Sequence, residues 1–498
     1  MGYVFDVRQY GAKGDGITLD SAAVQKAVDA AGDAGGRVVL PPGRYLCGTI
    51  ELRSRVTLEI QQGAVLVGSS RLEDYRTHTW GHHQDITPWH LLAGHDLEDV
   101  VITGEGTIDG SGPAFWKPNR PHDWAFWREK LHRPSPMVEL RRCQNVRVEN
   151  LALQNSPGWT LHLHDCDHVA VRGVRIRNTP FGPNTDGIDI TGCHHMTVSD
   201  CDIDTGDDAI ALKTSDYSRS CEYIAITNCV LATSCVAVRL GYESRQDFRY
   251  ITVSNCVVPR CSRAIDLRSL EGAIIEHVVI SGIVGTTNSG WPVNRPIELS
   301  LHKRDNVYKA GLPAEHPDYG KDKPVTREGR IRDVTLRDID LQTDGRVTIV
   351  ADDGMELSDI LIDNLRLRYA MLDDPAAFAG ASSSGFLPGD HRDARAARAA
   401  IVAKNASNLC VQNLRISWPS YPVPETWHLL NCPNRSISKQ FIEGKEKQIR
   451  SGEYRCVFKV LWGKRLRGGR IELGALPASD GTEAAELVDC TSAVEKGQ

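Results

Sequence analysis

Short segments that alternate apolar and polar residues recur along the middle of the chain. They begin at residues 146 (VRVENLAL), 169 (VAVRGVRI), 196 (MTVSDCDI), 224 (IAITNCVL), 251 (ITVSNCVV) and 273 (AIIEHVVI). Successive starts lie 22 to 28 residues apart. Alternation with period two is the signature of a half-buried strand. Inside each segment a polar residue, often Asn, marks a bend, and Cys or a small apolar residue often follows it. A second strand set interleaves at 187–190 (GIDI), 209–212 (AIAL), 236–240 (VAVRL) and 264–268 (AIDLR). No helix-periodic stretch separates these strands, which argues against βαβ units. Strand pairs repeating every ~20–30 residues predict a solenoid whose coils stack on one another. The predicted fold is all-β, a right-handed parallel β-helix. Weaker copies follow at 334–340, 357–365 and 409–416.

One N-terminal stretch breaks the strand pattern. Residues 20–31 (DSAAVQKAVDAA) place apolar residues at helical spacing behind an Asp/Ser start signal. A helix there would cap the open end of the solenoid core. The catalytic β-helix is expected over 1–420, with an insertion at about 371–400. A C-terminal extension over 421–498 would pack on it or cap it. Length alone, 498 residues, suggests about three domains, and the repeats reduce that to one solenoid with additions.

Composition is that of an ordinary globular protein, with 41% apolar and 24% charged residues. The net charge of −6 supplies no positive field for nucleic acid or an anionic membrane. No stretch reaches the ~18 consecutive apolar residues of a membrane span. The first residues lack a basic segment followed by an apolar one, so a cytoplasmic location is expected. Many of the 14 cysteines sit within the repeats, and they read as reduced core residues.

Chemistry concentrates where the second strand set begins. Asn184-Thr185-Asp186 carries one carboxylate, and Gly206-Asp207-Asp208 carries two. Asp186 and Asp207 are 21 residues apart, close to one coil. Stacked strands lie about 4.8 Å apart, so the three carboxylates gather in one patch. Like charges held that close raise a pKa and separate acid from base roles. Glycoside hydrolysis needs such a division, with an acid for the leaving oxygen and a base for the water. A calcium site and a solvated acidic rim are the alternatives on spacing alone.

These motifs resemble the polygalacturonase family, glycoside hydrolase family 28. The likeness rests on Asn184-Thr185-Asp186, Gly206-Asp207-Asp208, the 155–159 segment NSPGW and the 104–110 segment GEGTIDG. The opening at 10–16 (YGAKGDG), 41–46 (PPGRYL) and 48–50 (GTI) resembles the first coils of bacterial members. The resemblance spans roughly residues 3–365 and implies a pectin-lyase-like solenoid. It also implies an inverting hydrolase with no metal and no cofactor. Asp207 would be the general acid, and Asp186 and Asp208 would hold and activate water.

Two family signatures are missing. Where a Gly-His-Gly motif is expected the chain has Val236, in 234–241 (SCVAVRLG). Where an Arg-Ile-Lys motif would grip a uronate carboxylate, the chain reads Asp266-Leu267-Arg268. Asp266 reverses the local charge and would repel a galacturonate carboxylate. Strand alternation points Asp189, Ala211, Arg239, Asp266 and Arg268 outward and Ile188, Ile210, Val238 and Leu267 inward. Arg239 and Asp266 either neutralise each other or contact sugar hydroxyls. The expected substrate is therefore a neutral sugar or a differently decorated pectic fragment rather than plain homogalacturonan.

Further substrate-binding candidates are Asn184, Lys213, Glu243 in the lost histidine's role, and Trp291, whose ring face suits a sugar. His82, His83 and His90 match no metal spacing and read as a solvated loop. The bend asparagines, Asn228 among them, read as a structural ladder. The partner is a carbohydrate, and the oligomeric state is left open, a homo-oligomer among the options. Exo action is expected, with walls from 79–133 and from the insertion. A lyase or uronate epimerase on the same fold, or a non-catalytic carbohydrate-binding β-helix, are the competing readings.

Overall fold

The computed structural model describes residues 3–78, 86–116, 132–180, 182–288, 295–303, 325–369, 394, 397, 399–417, 459–473, 486–488 and 493–496. They fall into two compact units divided between Leu231 and Ala232.

In the first unit the coils from Ile50 onward have three strands, the two either side of the bend and one from the second set, as the sequence pattern shows. One coil runs Leu161–His164, Asp167–Arg172 and Arg175–Arg177. The next runs Ile188–Thr191, His194–Ser199 and Asp202–Thr205. Pairing is parallel and in register, with Leu161 beside Ile188, Val169 beside Met196 and Ile176 beside Ile203. Apolar residues therefore stack on apolar residues from coil to coil, and the inward-facing ones are buried. This is the parallel β-helix expected from the repeats.

The bends between strands carry Asn or Asp in the left-handed region, as at Asn150, Asp200 and Asn228. The ladder at these bends is mixed rather than all asparagine. Asn228 Nδ2 lies 3.5 Å from Asp200 Oδ1, and Asn145 donates to Asp99 at 3.1 Å. Cys166, Cys193 and Cys221 sit inside successive coils, donating to Leu140, Leu163 and Ile190 carbonyls of the preceding coil. The described cysteines are free thiols, buried except for Cys410.

The N-terminal helix, α1, spans Ser21–Ala34 and buries Val24, Ala27, Val28 and Ala31. Asp20 precedes it but does not cap it through its side chain. Its carboxylate instead accepts from the backbone of Lys13 and Gly14 at 2.7 and 2.9 Å. The segment 79–133, expected to form a cleft wall, contains coil strands at Leu92–His95, Glu98–Thr103 and Thr107–Asp109.

In the second unit the strands on either side of the bend merge. Phe248–Cys261, Ile274–Thr287, Arg330–Thr343 and Leu357–Tyr369 pair in parallel, with Val253, Ile280, Leu336 and Ile362 in one inward row. A second sheet contains Val236–Ser244, Arg263–Ser269, Ile297–Leu301, Val347–Ala351 and Ala399–Lys404. Lys459–Lys464 and Arg467–Leu473 add a further coil within the stretch expected as an extension. Most of the 371–400 insertion lies outside the described residues.

Candidate active site

Backbone pairing between coils gathers the first unit's carboxylates. Thr160 N–H donates to Asp186 O at 3.0 Å, and Gly187 N–H donates to Asp208 O at 2.8 Å. Asp186 and Asp208 thus lie at matching positions, each two residues before one of the adjacent strands Ile188–Thr191 and Ile210–Thr214. Asp207 is fixed by its own turn, where its Oδ1 accepts from Asp208 N–H at 3.0 Å. Its carbonyl accepts from Thr205 Oγ1 at 2.5 Å. The turn requires glycine at 206: a Cβ there would lie 2.5 Å from Thr185 Oγ1 and 2.7 Å from Thr179 O.

All three carboxylates are nearly shielded from solvent, at 3%, 7% and 3% exposure for Asp186, Asp207 and Asp208. Asp189 is buried too, and lies beside Ala211 and His162 in register. Lys213 Nζ stands 3.8 Å from Asp189 Oδ1 and 4.9 Å from the centre of the Trp159 ring. Burial pushes the Asp186 carboxyl well above the ordinary range, and Asp189, Asp207 and Asp208 push it further, with Lys213 opposing. Its buried Oδ1 has no hydrogen-bond partner among the described residues. Burial and like charge together therefore favour the neutral form of Asp186.

Asn184 adopts a positive φ of 46° and accepts from Arg133 Nη2 at 3.4 Å. Arg133 also donates through Nη1 to Pro157 O at 2.6 Å and to Pro183 O. It ties the 155–159 turn to the turn bearing Asp186. Sequence reasoning missed Arg133, which belongs to no repeat. It also missed Glu139, His162, His164 and Thr191, which share the outward face of the strands with Asp189 and Lys213. The signal was present in the alternating 161–164 segment LHLH, whose outward positions are both histidine. His90 is not in a solvated loop: it is fully buried, with Nδ1 2.8 Å from Pro136 O, and burial lowers its pKa to about 4. His82, His83 and Trp291 lie outside the described residues.

The second unit holds Arg239, Glu243, Asp266 and Arg268, all buried. Arg239 and Asp266 pair in register, and Arg239 Nη1 donates to Asp266 Oδ2 at 2.8 Å. Arg268 Nε donates to Asp266 Oδ1 at 2.6 Å, and its Nη2 to Glu298 Oε2 at 2.6 Å. Arg263 Nε donates to Glu298 Oε2 at 2.9 Å, and Arg295 pairs with the other Glu298 oxygen. The Tyr242 ring lies between two guanidiniums, 4.3 Å from that of Arg239 and 4.7 Å from that of Arg268. Burial works to raise the Glu298 carboxyl, but Arg268, Arg295 and Arg263 outweigh it and hold it well below the usual range. The charge reversal at Asp266, expected to repel a uronate, is thus answered in place by arginine. Glu243 is the penultimate residue of the strand Val236–Ser244.

The family model for glycosyl hydrolases family 28 matches residues 38–285. A probable polygalacturonase of Vitis vinifera is 33% identical over 301 residues, covering 56% of this chain and 60% of its own. A probable polygalacturonase of Arabidopsis thaliana is 30% identical over 337 residues, covering 58% of this chain and 69% of its own. The exo-poly-alpha-D-galacturonosidase of Dickeya chrysanthemi is 28% identical over 250 residues, with 42% of this chain and 41% of its own covered. Among solved structures, an exopolygalacturonase of Thermotoga maritima superposes with a TM-score of 0.60 at 21% identity, over 83% of this chain and 92% of its own. The family 28 exopolygalacturonase of Yersinia enterocolitica gives a TM-score of 0.60 at 17% identity, over 84% of this chain and 77% of its own. These structural likenesses establish the right-handed parallel β-helix. The chain belongs to glycosyl hydrolases family 28, and it spans about 60% of the length of the Vitis vinifera relative.

Proposed function

We propose that the protein is an inverting, exo-acting hydrolase of pectin-type poly- or oligosaccharides. The observation that carries this reading is the buried Asp186–Asp207–Asp208 cluster, seated just before adjacent strands in a family 28 chain. Asp207 acts as the general acid toward the leaving oxygen, and Asp186 and Asp208 hold and activate the water. Burial and the neighbouring carboxylates raise Asp186, the direction that makes a carboxylate a better base toward the water. Exo action draws support from relatives named exopolygalacturonase in Zea mays and exo-poly-alpha-D-galacturonosidase in Dickeya chrysanthemi.

Asp266 favours a pectic substrate other than plain homogalacturonan. Arg239 and Arg268 are engaged with Asp266, and Arg268, Arg263 and Arg295 with Glu298. The deciding assay follows products from galacturonan, rhamnogalacturonan, galactan and arabinan oligosaccharides by NMR with the anomers resolved. Inverted monosaccharide released from one end is expected, with a decorated pectic substrate ahead of polygalacturonate. An unsaturated product would identify a lyase, and a retained anomer would remove the inverting assignment.

A further inference from the structure

On the outward face of the first unit, three side chains from three adjacent strands form an unbroken hydrogen-bond chain. Glu139 Oε2 lies 2.6 Å from His162 Nδ1, and His162 Nε2 lies 2.9 Å from Thr191 Oγ1. Glu139 and His162 are fully buried, and Thr191 is 6% exposed. Register explains the assembly. Glu139 pairs with His162, His162 with Asp189, and Thr191 with Lys213. The Trp159 ring meets the His162 ring edge-on at 5.2 Å between centres and keeps the imidazole from turning. Because both ring nitrogens are engaged, the relay dictates where the Thr191 hydroxyl can point its remaining donor or lone pair.

Thr191, 6% exposed, is the end of the chain open to solvent, whereas Glu139 Oε1 at the other end is buried with no hydrogen-bond partner among the described residues. Thr191 ends the strand that Asp186 precedes, on the same face as Asp189 and Lys213. We infer that Glu139 and His162 are positioning residues which aim the Thr191 hydroxyl at a hydroxyl group of the bound sugar, making Thr191 a specificity determinant. This rests on the hydrolase reading above. The same neighbourhood offers a second chemistry, since ligand-capable atoms of Glu139, His162 and His164 lie within 4.8 Å of one another. A transition metal would require His162 to give up one of its two hydrogen bonds, so the relay is favoured.

The test measures binding of the pectic oligosaccharide panel by calorimetry in an Asp207→Asn background. Thr191→Val should weaken binding about 3- to 10-fold, the worth of one hydrogen bond. Thr191→Ser should restore it. Glu139→Gln and His162→Gln should each weaken binding, and their effects should not add to that of Thr191→Val. In the enzyme with Asp207 intact, Thr191→Val should raise KM and leave kcat nearly unchanged. Unaltered binding by Thr191→Val, additive losses, or no binding by any member of the panel overturns the inference. So does one equivalent of Zn2+ bound by the unaltered chain and lost in His162→Gln, which would identify a metal site. Turnover by Asp207→Asn within tenfold of the unaltered enzyme would instead end the general-acid assignment, and absence of turnover by the unaltered enzyme on every member of the panel would end the hydrolase reading; either leaves the binding comparison standing.

Discussion

The two units place buried charge on the same kind of strand face and treat it in opposite ways. In the first, Asp186, Asp189, Asp207 and Asp208 act together, and Lys213 is the cation that opposes them at Asp186. In the second, Asp266 and Glu298 are surrounded by Arg239, Arg263, Arg268 and Arg295. In one cluster burial and like charge push a carboxyl, Asp186, well above its ordinary range. The other satisfies its charges and holds a carboxylate ionised. A strongly raised buried carboxyl is a candidate for chemistry, whereas a network of arginine-paired carboxylates is consistent with structure alone.

The contrast breaks first at Asp207. Asp207→Asn should cut turnover by about 10²- to 10⁴-fold, the contribution of a general acid, with circular dichroism unchanged. Activity within tenfold of the unaltered enzyme would end the assignment. In the second unit, Glu298→Ala leaves three buried guanidiniums short of a partner, and should cost about 3–5 kcal/mol in denaturant unfolding. Asp186→Asn should abolish activity and raise Tm above the pH at which Asp186 ionises, because it removes a carboxyl whose charged form burial and its neighbours disfavour. A fall in Tm would show that Asp186 is compensated after all.

The pH responses should also diverge. Asp186 and Glu139 have raised pKa values, Glu139 reaching about 7 because of burial, with His90, Arg141, His78 and His95 opposing. Their favourable contribution is complete below the unfolded values and fades as pH rises, for Glu139 between 4.5 and about 7. Glu298 has a lowered value, so its contribution is present above 4.5 and fades as pH falls. Hydrogen exchange resolved by region should show the first unit loosening toward neutral pH and the second toward acid. Lys213→Met should move the ascending limb of the pH–rate profile upward, since the cation that lowers Asp186 is gone. The smallest effect is expected at the exposed ring stack of His168, His195 and Tyr223, spaced 5.0 and 4.9 Å. His195→Ala should cost about 0.5–1.5 kcal/mol without touching activity.

Much of this molecule was legible beforehand because a stacked coil writes itself into local alternation. The inward row Ile188, Ile210 and the outward row Asp189, Ala211 follow from period two alone. The three carboxylates were legible because two turns one coil apart must stack. The Arg239–Asp266 pair was one of the two readings that position offered, whereas Arg263 and Glu298, which complete the network, lie outside the motif. Arg133, Glu139 and His162 were missed for the same reason: each acquires its role from a strand 20 or more residues away. Asp20 looked like a helix cap and instead braces the 13–14 turn, a choice between two sets of backbone N–H groups that only the folded chain resolves.

The sequence by itself determined the coil, the inward and outward faces, and the gathering of acidic residues at one patch. Those follow from backbone periodicity and from the fixed spacing of stacked strands. The tertiary structure decided which of the buried charges are answered. A charge's state depends on every group within several ångströms and on its access to water, and neither quantity is local in sequence. That is why the same alternating strands produce a carboxylate cluster that disfavours ionisation of Asp186 in one unit and a neutralised arginine network in the other.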